Sequence, residues 1–144
     1  MVQLKYHQNV FSKIWEIRKQ SERLAVTLTY KLFGPSIAST NTHILMLHGL
    51  LGCKNNFYNV SEMIIKAPRL NGCVIVADAR NHGDSPHTCT HNYNDLSEDA
   101  FHLIDKLGID KVHLIGHSMG GRTAITMALT QPSRIKSLVV VDIS

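Results

Sequence analysis

Ser118 lies in a pattern of small residues that is typical of nucleophilic catalysis. The pattern is Gly116-His117-Ser118-Met119-Gly120, which fits G-x-S-x-G. An apolar strand is predicted before it and a helix after it, which is the context that the motif requires. Glycines at 116 and 120 remove the Cβ clashes of a sharp strand-to-helix turn. The pattern therefore predicts Ser118 as a nucleophile that forms an acyl-enzyme.

Two backbone N–H groups are predicted to stabilise the negative charge that such an attack develops. The first is that of Met119, at the N-terminus of the following helix, where unpaired N–H groups and the positive end of the helix dipole lie together. The second is that of Leu50, which follows His48-Gly49 at the end of another predicted strand. Each such donor typically contributes ~3 kcal/mol in the transition state. Leu50 and Met119 are therefore the candidate oxyanion hole.

A phosphate-binding loop is a rival interpretation of the same stretch. Gly116 to Thr123 reads G-x-x-x-x-G-R-T, one residue from the phosphate-loop pattern. Leu138 to Asp142 resembles the apolar strand whose terminal Asp holds Mg²⁺ in such proteins. However, Arg122 replaces the lysine, and a guanidinium is not an equivalent point charge for phosphates. Nucleotide binding is therefore the third hypothesis for this chain.

Four segments together resemble the α/β-hydrolase family, including bacterial esterases. These segments are Leu47–Gly52, Asp78–Pro86, Gly116–Gly121 and Val141–Ser144. The resemblance covers about residues 25–144, and the Arg-Asn-His-Gly-Asp-Ser-Pro loop is its most specific part. It implies Ser118 as nucleophile, the amides of Leu50 and Met119 as oxyanion hole, and no cofactor. It also implies a carboxylic ester substrate, with lipid esters such as acylglycerols as the expected class.

The histidine that completes this family's triad is expected after the nucleophile and the acid. All nine histidines precede Ser118, and Asp142 is the one carboxylate residue that follows it. Asp142 is therefore the candidate acid, with capping of local N–H groups as the structural alternative. A serine without its base loses most of its activation. We expect the chain to be an incomplete, inactive form of a longer enzyme, with a non-catalytic binding module as the second hypothesis.

The remaining histidines near the motifs are expected to have structural roles. The side chain of His117 is expected to point away from Ser118, and His48 is expected to hydrogen-bond the backbone. Three histidines in a predicted polar loop over 79–94 are expected to be solvated, because no cysteine or carboxylate completes a metal-ligand pattern. These are His82, His87 and His91. Asp84 and Ser85 are expected to form turns in that loop.

Alternating strands and helices are predicted to bring these residues together. A half-buried strand is predicted over 25–32, and four apolar runs predict buried strands. The runs are 44–47, 73–77, 112–115 and 138–141, with helices over 56–66, 95–107 and 119–130. The alternation predicts a mostly parallel sheet with helices on both faces, truncated after the strand that ends at Asp142. Ligands bind at the carboxyl ends of such strands, so the order of elements itself favours an enzyme.

Composition excludes several other classes of protein. The chain has 144 residues, of which 44% are hydrophobic and 18% charged, as in folded globular domains. No apolar run approaches the ~20 residues of a membrane span. Cys53, Cys73 and Cys89 are odd in number and form no C-x-x-C motif. They disfavour a disulfide scaffold or a zinc site and favour a reducing, intracellular compartment.

Charge divides the chain into two predicted parts. Residues 1–23 carry +3 of the +4 net charge, so the rest offers no general polyanion-binding surface and no nucleic-acid partner is expected. This basic, amphipathic segment is predicted to be a mitochondrial targeting sequence or a surface helix. Residues 24–144 are predicted to be the N-terminal part of the hydrolase domain. The apolar strand over 138–141 would have an unpaired edge, which predicts self-association.

Overall fold

Five strands form one sheet in the computed structural model, which describes residues 25–68 and 70–143. The strands are β1 (Tyr30–Phe33), β2 (His43–Leu47), β3 (Cys73–Ala77), β4 (Val112–His117) and β5 (Ile135–Val141). Their spatial order is β1-β3-β2-β4-β5. β1 is antiparallel to β3, and the other three pairings are parallel. The predicted segment over 1–23 lies outside the described residues.

Helices cover both faces of this sheet. They are α1 (Tyr58–Ile65), α2 (Tyr93–Lys106) and α3 (Met119–Thr130), and short 3-10 turns occur at Ile37–Ser39, Lys54–Phe57 and Pro132–Arg134. One core cluster packs α2 and α3 against alternate residues of β2, β3 and β4. A second cluster packs α1 against the residues that face the opposite way. The predicted architecture, a mostly parallel sheet with helices on both faces, is thereby confirmed.

The first predicted strand is shorter than its sequence pattern indicated. Only Tyr30–Phe33 pairs with β3, whereas residues 25–29 lie outside the strand, where the Thr29 carbonyl accepts the Asp78 N–H at 2.9 Å. The backbone N–H of Val26 donates to the Asp99 carboxylate at 2.7 Å, and that of Thr29 donates to Ser85 Oγ at 2.9 Å. Side chains from the loop and from α2 thus take the hydrogen bonds that a strand partner would have supplied.

The prediction that residues 138–141 are buried is wrong. β5 begins earlier, at Ile135, and among the described residues it pairs only with β4. Leu138, Val139 and Val141 are exposed, Val139 to 49%. An apolar run reports that a strand can be buried, but it does not report whether a covering element is present.

Membrane-spanning helices were sought in the described residues. None of the helices found there is both long enough and apolar enough to cross a bilayer.

Candidate active site

The sheet register brings the ends of three parallel strands to one level. Leu47 of β2 pairs with Ala77 of β3 on one side and with Gly116 of β4 on the other. The residues that follow these positions therefore share the carboxyl edge of the sheet, where parallel α/β folds bind ligands. They include the loop after β2, Asp78 after β3 and Ser118 after β4.

Ser118 forms a one-residue turn between β4 and α3. Its backbone has φ 50° and ψ −114°, a conformation that typically costs a non-glycine residue ~1–3 kcal/mol. Its N–H donates to the carbonyl oxygen of Val141 at 2.9 Å. A Cβ at Gly116 would run into the carbonyl of Gly120, and one at Gly120 would run into the carbonyl of Leu47. Both glycines are therefore required by the close approach of backbone segments around Ser118.

This geometry contradicts the phosphate-loop interpretation. A phosphate loop needs several residues between strand and helix, so that successive backbone N–H groups can surround the phosphates. Here β4 ends at His117 and α3 begins at Met119, and Gly121 and Arg122 lie inside the helix. The chain has no room for the loop that nucleotide binding would need at this position.

Ser118, Leu50 and Met119 line one cavity of about 310 Å³. In the described part of the chain, neither the Leu50 N–H nor the Met119 N–H donates a hydrogen bond to a protein group. The cavity wall combines apolar residues with polar ones. The other lining residues are His91, Asn92, Tyr93, Leu96 and Arg122. Ser118 thus shares one cavity with two residues whose N–H groups bond no described protein group, and nucleophilic attack and charge stabilisation in acyl transfer need groups of these kinds.

The His48 ring hydrogen-bonds the loop that carries Leu50. We call residues Gly49–Gly52 the oxyanion loop. His48 Nδ1 donates to the carbonyl of Gly49 at 2.8 Å, and its Nε2 accepts the Ala79 N–H at 3.0 Å. Burial lowers the pKa of His48, which matches this neutral, doubly bonded ring. The expectation that His48 bonds the backbone is confirmed.

Asp78 connects the oxyanion side of the site to the loop after β3. Its fully buried carboxylate accepts the backbone N–H and the Nζ of Lys54, each at 2.6 Å, and the Asp84 N–H at 2.9 Å. Burial alone would raise the pKa of Asp78, but these hydrogen bonds, led by the Lys54 ammonium, keep it below its ordinary value. Bonds to Asp78 and then Asp84 raise the pKa of Lys54. Gly83, at φ 53°, leaves the space that this carboxylate occupies.

The loop over 79–94 is less solvated than predicted. His82 is only 8% exposed, and both its ring nitrogens are hydrogen-bonded. Ser85 is buried, and its Oγ donates to the Asp78 carbonyl at 2.8 Å. His91 lines the cavity of Ser118, and burial, followed by the charge of His82, lowers its pKa. The prediction of a solvated loop is wrong for His82, because its ring nitrogens bond the Leu51 N–H and the Arg80 carbonyl, whereas His87 and His91 are exposed as expected.

A buried ion pair beneath this loop was missed at the sequence level. Arg80 Nε and Nη2 donate to the two oxygens of Asp99, at 2.6 and 2.8 Å, and both side chains are almost wholly buried. The available signal was the position of Asp99 on α2. It lies on the face that also presents Leu96 and Leu103, and a carboxylate on an apolar helix face needs a cationic partner.

Asp142 and His117 lie apart from the cavity of Ser118. Asp142 has φ 50° and a side chain that is 87% exposed, and its Oδ2 is 3.8 Å from His117 Nε2. His117 lines a different cavity, of about 350 Å³, together with Gly49 and Phe57. This agrees with the expectation that His117 points away from Ser118. The role of Asp142 as triad acid stays a prediction.

Comparison with known proteins agrees with this fold. The model of the alpha/beta hydrolase fold family matches residues 42–144. The sn-1-specific diacylglycerol lipase ABHD11 of Danio rerio is 44% identical over 119 residues, which are 83% of this chain and 36% of that protein. Ethanol acetyltransferase 1 of Eremothecium cymbalariae is 39% identical over 99 residues, 69% of this chain and 27% of that protein. The solved structure of a marine microorganism esterase has a TM-score of 0.73 and 30% identity, and the match covers 81% of this chain and 41% of that one.

The chain belongs to the alpha/beta hydrolase fold family. It spans about a third of the length of the curated relatives that it matches.

Proposed function

We propose that this chain supplies the nucleophile and the oxyanion hole of a serine hydrolase that acts on carboxylic esters of lipids, such as acylglycerols. One observation carries the proposal. Ser118, in a backbone conformation that glycine neighbours alone permit, shares a cavity with the available N–H groups of Leu50 and Met119.

The proposed reaction begins with attack of Ser118 Oγ on the ester carbonyl carbon. The hydroxyl proton goes to a general base, and the carbonyl oxygen gains the negative charge that the Leu50 and Met119 amides stabilise. Collapse of this intermediate breaks the bond to the alcohol oxygen, which takes up the proton and leaves. Water then attacks the acyl-enzyme and releases the carboxylic acid. Asp142 is the proposed acid that orients the base.

The substrate class rests on two kinds of support. Leu50, Leu96 and Tyr93 give the cavity an apolar wall that suits an acyl chain. The Danio rerio relative is named for diacylglycerol, and the Eremothecium cymbalariae relative is named for acetyl transfer to ethanol. Both names describe transfer of an acyl group. They differ in the molecule to which the acyl group passes.

The chain by itself is proposed to be nearly inactive. In this family the histidine that acts as general base follows the nucleophile along the chain. No histidine of this chain follows Ser118. An alkoxide must then form without a positioned proton acceptor, which typically removes several kcal/mol of barrier lowering.

A chimera tests the function directly. Residues of this chain would replace the matching 119-residue stretch of the Danio rerio relative, and the release of fatty acid from diacylglycerol would be measured. We expect hydrolysis by the chimera and a loss of about 10³-fold or more in its Ser118→Ala variant. A folded chimera that releases no fatty acid would favour the non-catalytic binding module instead.

The mitochondrial address of residues 1–23 is proposed on charge and amphipathicity alone. Fusion of these residues to a fluorescent protein tests it. Mitochondrial fluorescence is expected, and diffuse fluorescence equal to that of a Lys13→Glu, Arg18→Glu, Lys19→Glu control would contradict it.

A further inference from the structure

The backbone conformation of the oxyanion loop is not stabilised by packing of the loop's own side chains. Leu51 has φ 61°, in the left-handed region that bulky residues rarely occupy. Its side chain is 92% exposed, so packing does not keep it there. One turn bond closes the loop, from the Gly52 N–H to the Gly49 carbonyl at 3.0 Å. A further contact must therefore fix the peptide plane between Leu50 and Leu51.

His82 supplies that contact from the neighbouring loop. The Leu51 N–H donates to His82 Nε2 at 3.2 Å. On the other side of the ring, Nδ1 lies 2.9 Å from the Arg80 carbonyl oxygen, to which it donates. Because Nε2 accepts and Nδ1 donates, the ring is in the neutral Nδ1–H tautomer. The imidazole thus bridges two loops as acceptor for one and donor to the other.

The Arg80 carbonyl, which accepts the hydrogen bond from His82, belongs to a residue fixed by buried contacts. Arg80 is paired through two hydrogen bonds with Asp99, and Asp99 also accepts the Val26 N–H. These groups are buried, so the Arg80 carbonyl is held in place by the core. The Leu51 peptide is thereby connected through His82 to α2, and its position does not depend on exposed side chains.

We propose that His82 is a positioning residue, which holds the oxyanion loop so that the Leu50 N–H stays directed at the site of Ser118 chemistry. This inference rests on the proposed function of Leu50 and Ser118. His82 does not line the cavity of Ser118 and therefore acts through the loop. The substrate's carbonyl oxygen is bound by Leu50, whereas His82 binds only the backbone one residue further on.

Nuclear magnetic resonance on the ¹⁵N-labelled chain tests the contact itself. We expect a coupling across the hydrogen bond between the Leu51 nitrogen and His82 Nε2 in the parent chain, and its loss in His82→Phe together with a shift of the Leu50 amide. Absence of the coupling in the parent, or a Leu50 amide with the same chemical shift in the parent and in His82→Phe, would overturn the proposal. This readout does not depend on the reactivity of Ser118.

Three variants test the consequence for Ser118. The rate of phosphonylation of Ser118 by a fluorophosphonate would be measured in imidazole buffer, which supplies a general base. We expect His82→Phe to lower it about tenfold or more and His82→Gln, which keeps an acceptor, to stay within about threefold of the parent. The matched control is His87→Phe, an exposed histidine of the same loop, which should leave the rate unchanged.

The outcomes separate this inference from the proposed function. Equal losses in the Phe and Gln variants, or a Phe variant that melts earlier yet reacts at the parent's rate, would overturn the positioning role. A parent chain whose Ser118 takes no label contradicts the nucleophile instead, and the Leu51–His82 coupling then decides the role of His82. If the Phe variant does not fold, the Gln variant and the coupling still decide it.

Discussion

The two flanks of Ser118 are built in different ways. On the side of β2 and β3, buried polar groups are paired in one continuous network that links the oxyanion loop to Asp78, His82 and the Arg80–Asp99 pair. On the side of β5, the strand has an exposed apolar surface, and Asp142 at its end points into solvent. The first flank fixes its groups by paired, buried side chains. On the second, the Ser118 N–H bonds the Val141 carbonyl at 2.9 Å, and the exposed Asp142 carboxylate lies 3.8 Å from His117 Nε2.

This difference indicates which part of the site is preorganised. Donors that stabilise developing charge must be in place before the reaction, because moving them during it would cost reorganisation energy. On the proposed oxyanion side, hydrogen bonds of His48 and His82 with the loop would hold the Leu50 N–H in place in this way. The side of Asp142 does not meet that condition, and any base oriented by that residue would need further packing around β5.

The largest expected effect concerns the ion pair beneath the first flank. Asp99→Asn removes the fully buried counterion of Arg80 and leaves it only the partly exposed Asp95 at 3.1 Å. Breaking a buried pair typically costs up to ~3–5 kcal/mol. Asp105→Asn is the matched control, because Asp105 pairs with Arg134 at the surface, where a pair contributes less than ~1 kcal/mol. Urea denaturation gives both free energies of unfolding. Similar small losses in the two variants would remove the contrast between a buried network and a solvated surface.

An intermediate effect is expected at the other flank. Self-association through the exposed edge of β5 remains a prediction, and Val139→Lys should weaken it by about tenfold, or ~1.4 kcal/mol, with little change in monomer stability. Leu129→Lys is the control, since Leu129 is exposed on α3, away from the edge of the sheet. Sedimentation of the parent and both variants measures the association. A monodisperse parent, or equal effects of the two lysine substitutions, would contradict self-association through the β5 edge.

The smallest effect is a dependence of stability on pH. The unfolded chain protonates His48 near its ordinary pKa of 6.5, whereas burial lowers the pKa in the folded state. The stability that neutral His48 contributes is therefore fully present above about pH 6.5 and is lost as the pH falls through the lowered pKa. Burial also lowers the pKa of His91 and of His113, so both contribute to the loss of stability at low pH in the same way.

Thermal melts across this range measure the dependence. His48→Gln should have a shallower loss of melting temperature below pH 6.5 than the parent. A His87→Gln variant serves as control because that side chain is exposed. Identical slopes in the parent and the His48 variant would show that the buried ring is not a source of the acid sensitivity.

The sequence predicted the parts of the site that depend on local backbone requirements. Glycines two residues on either side of Ser118 report a close approach of chain segments, and apolar runs that end at His48 and Asp78 report strand ends. Both are local patterns, and both were located correctly. The central strands were also predictable, because burial on both faces produces continuous apolar runs.

The polar network behind the site was not predictable in the same way. Whether His82 is solvated or buried depends on Leu51, which reaches it through a tertiary contact between two loops. The Arg80–Asp99 pair joins residues from a loop and a helix, and spacing alone does not reveal that they meet. The exposure of β5 likewise depends on what covers it, which an apolar strand pattern does not encode.

The central proposal is that Ser118 is a nucleophile beside an oxyanion hole formed by Leu50 and Met119, and that this chain by itself supplies no histidine base for it. The most direct measurement is the rate and site of fluorophosphonate labelling of this chain, by mass spectrometry, with and without imidazole as a substitute base. We predict slow labelling that is confined to Ser118 and accelerated by imidazole, and none in Ser118→Ala. Fast stoichiometric labelling without imidazole, or no label at Ser118 even with it, would contradict the account.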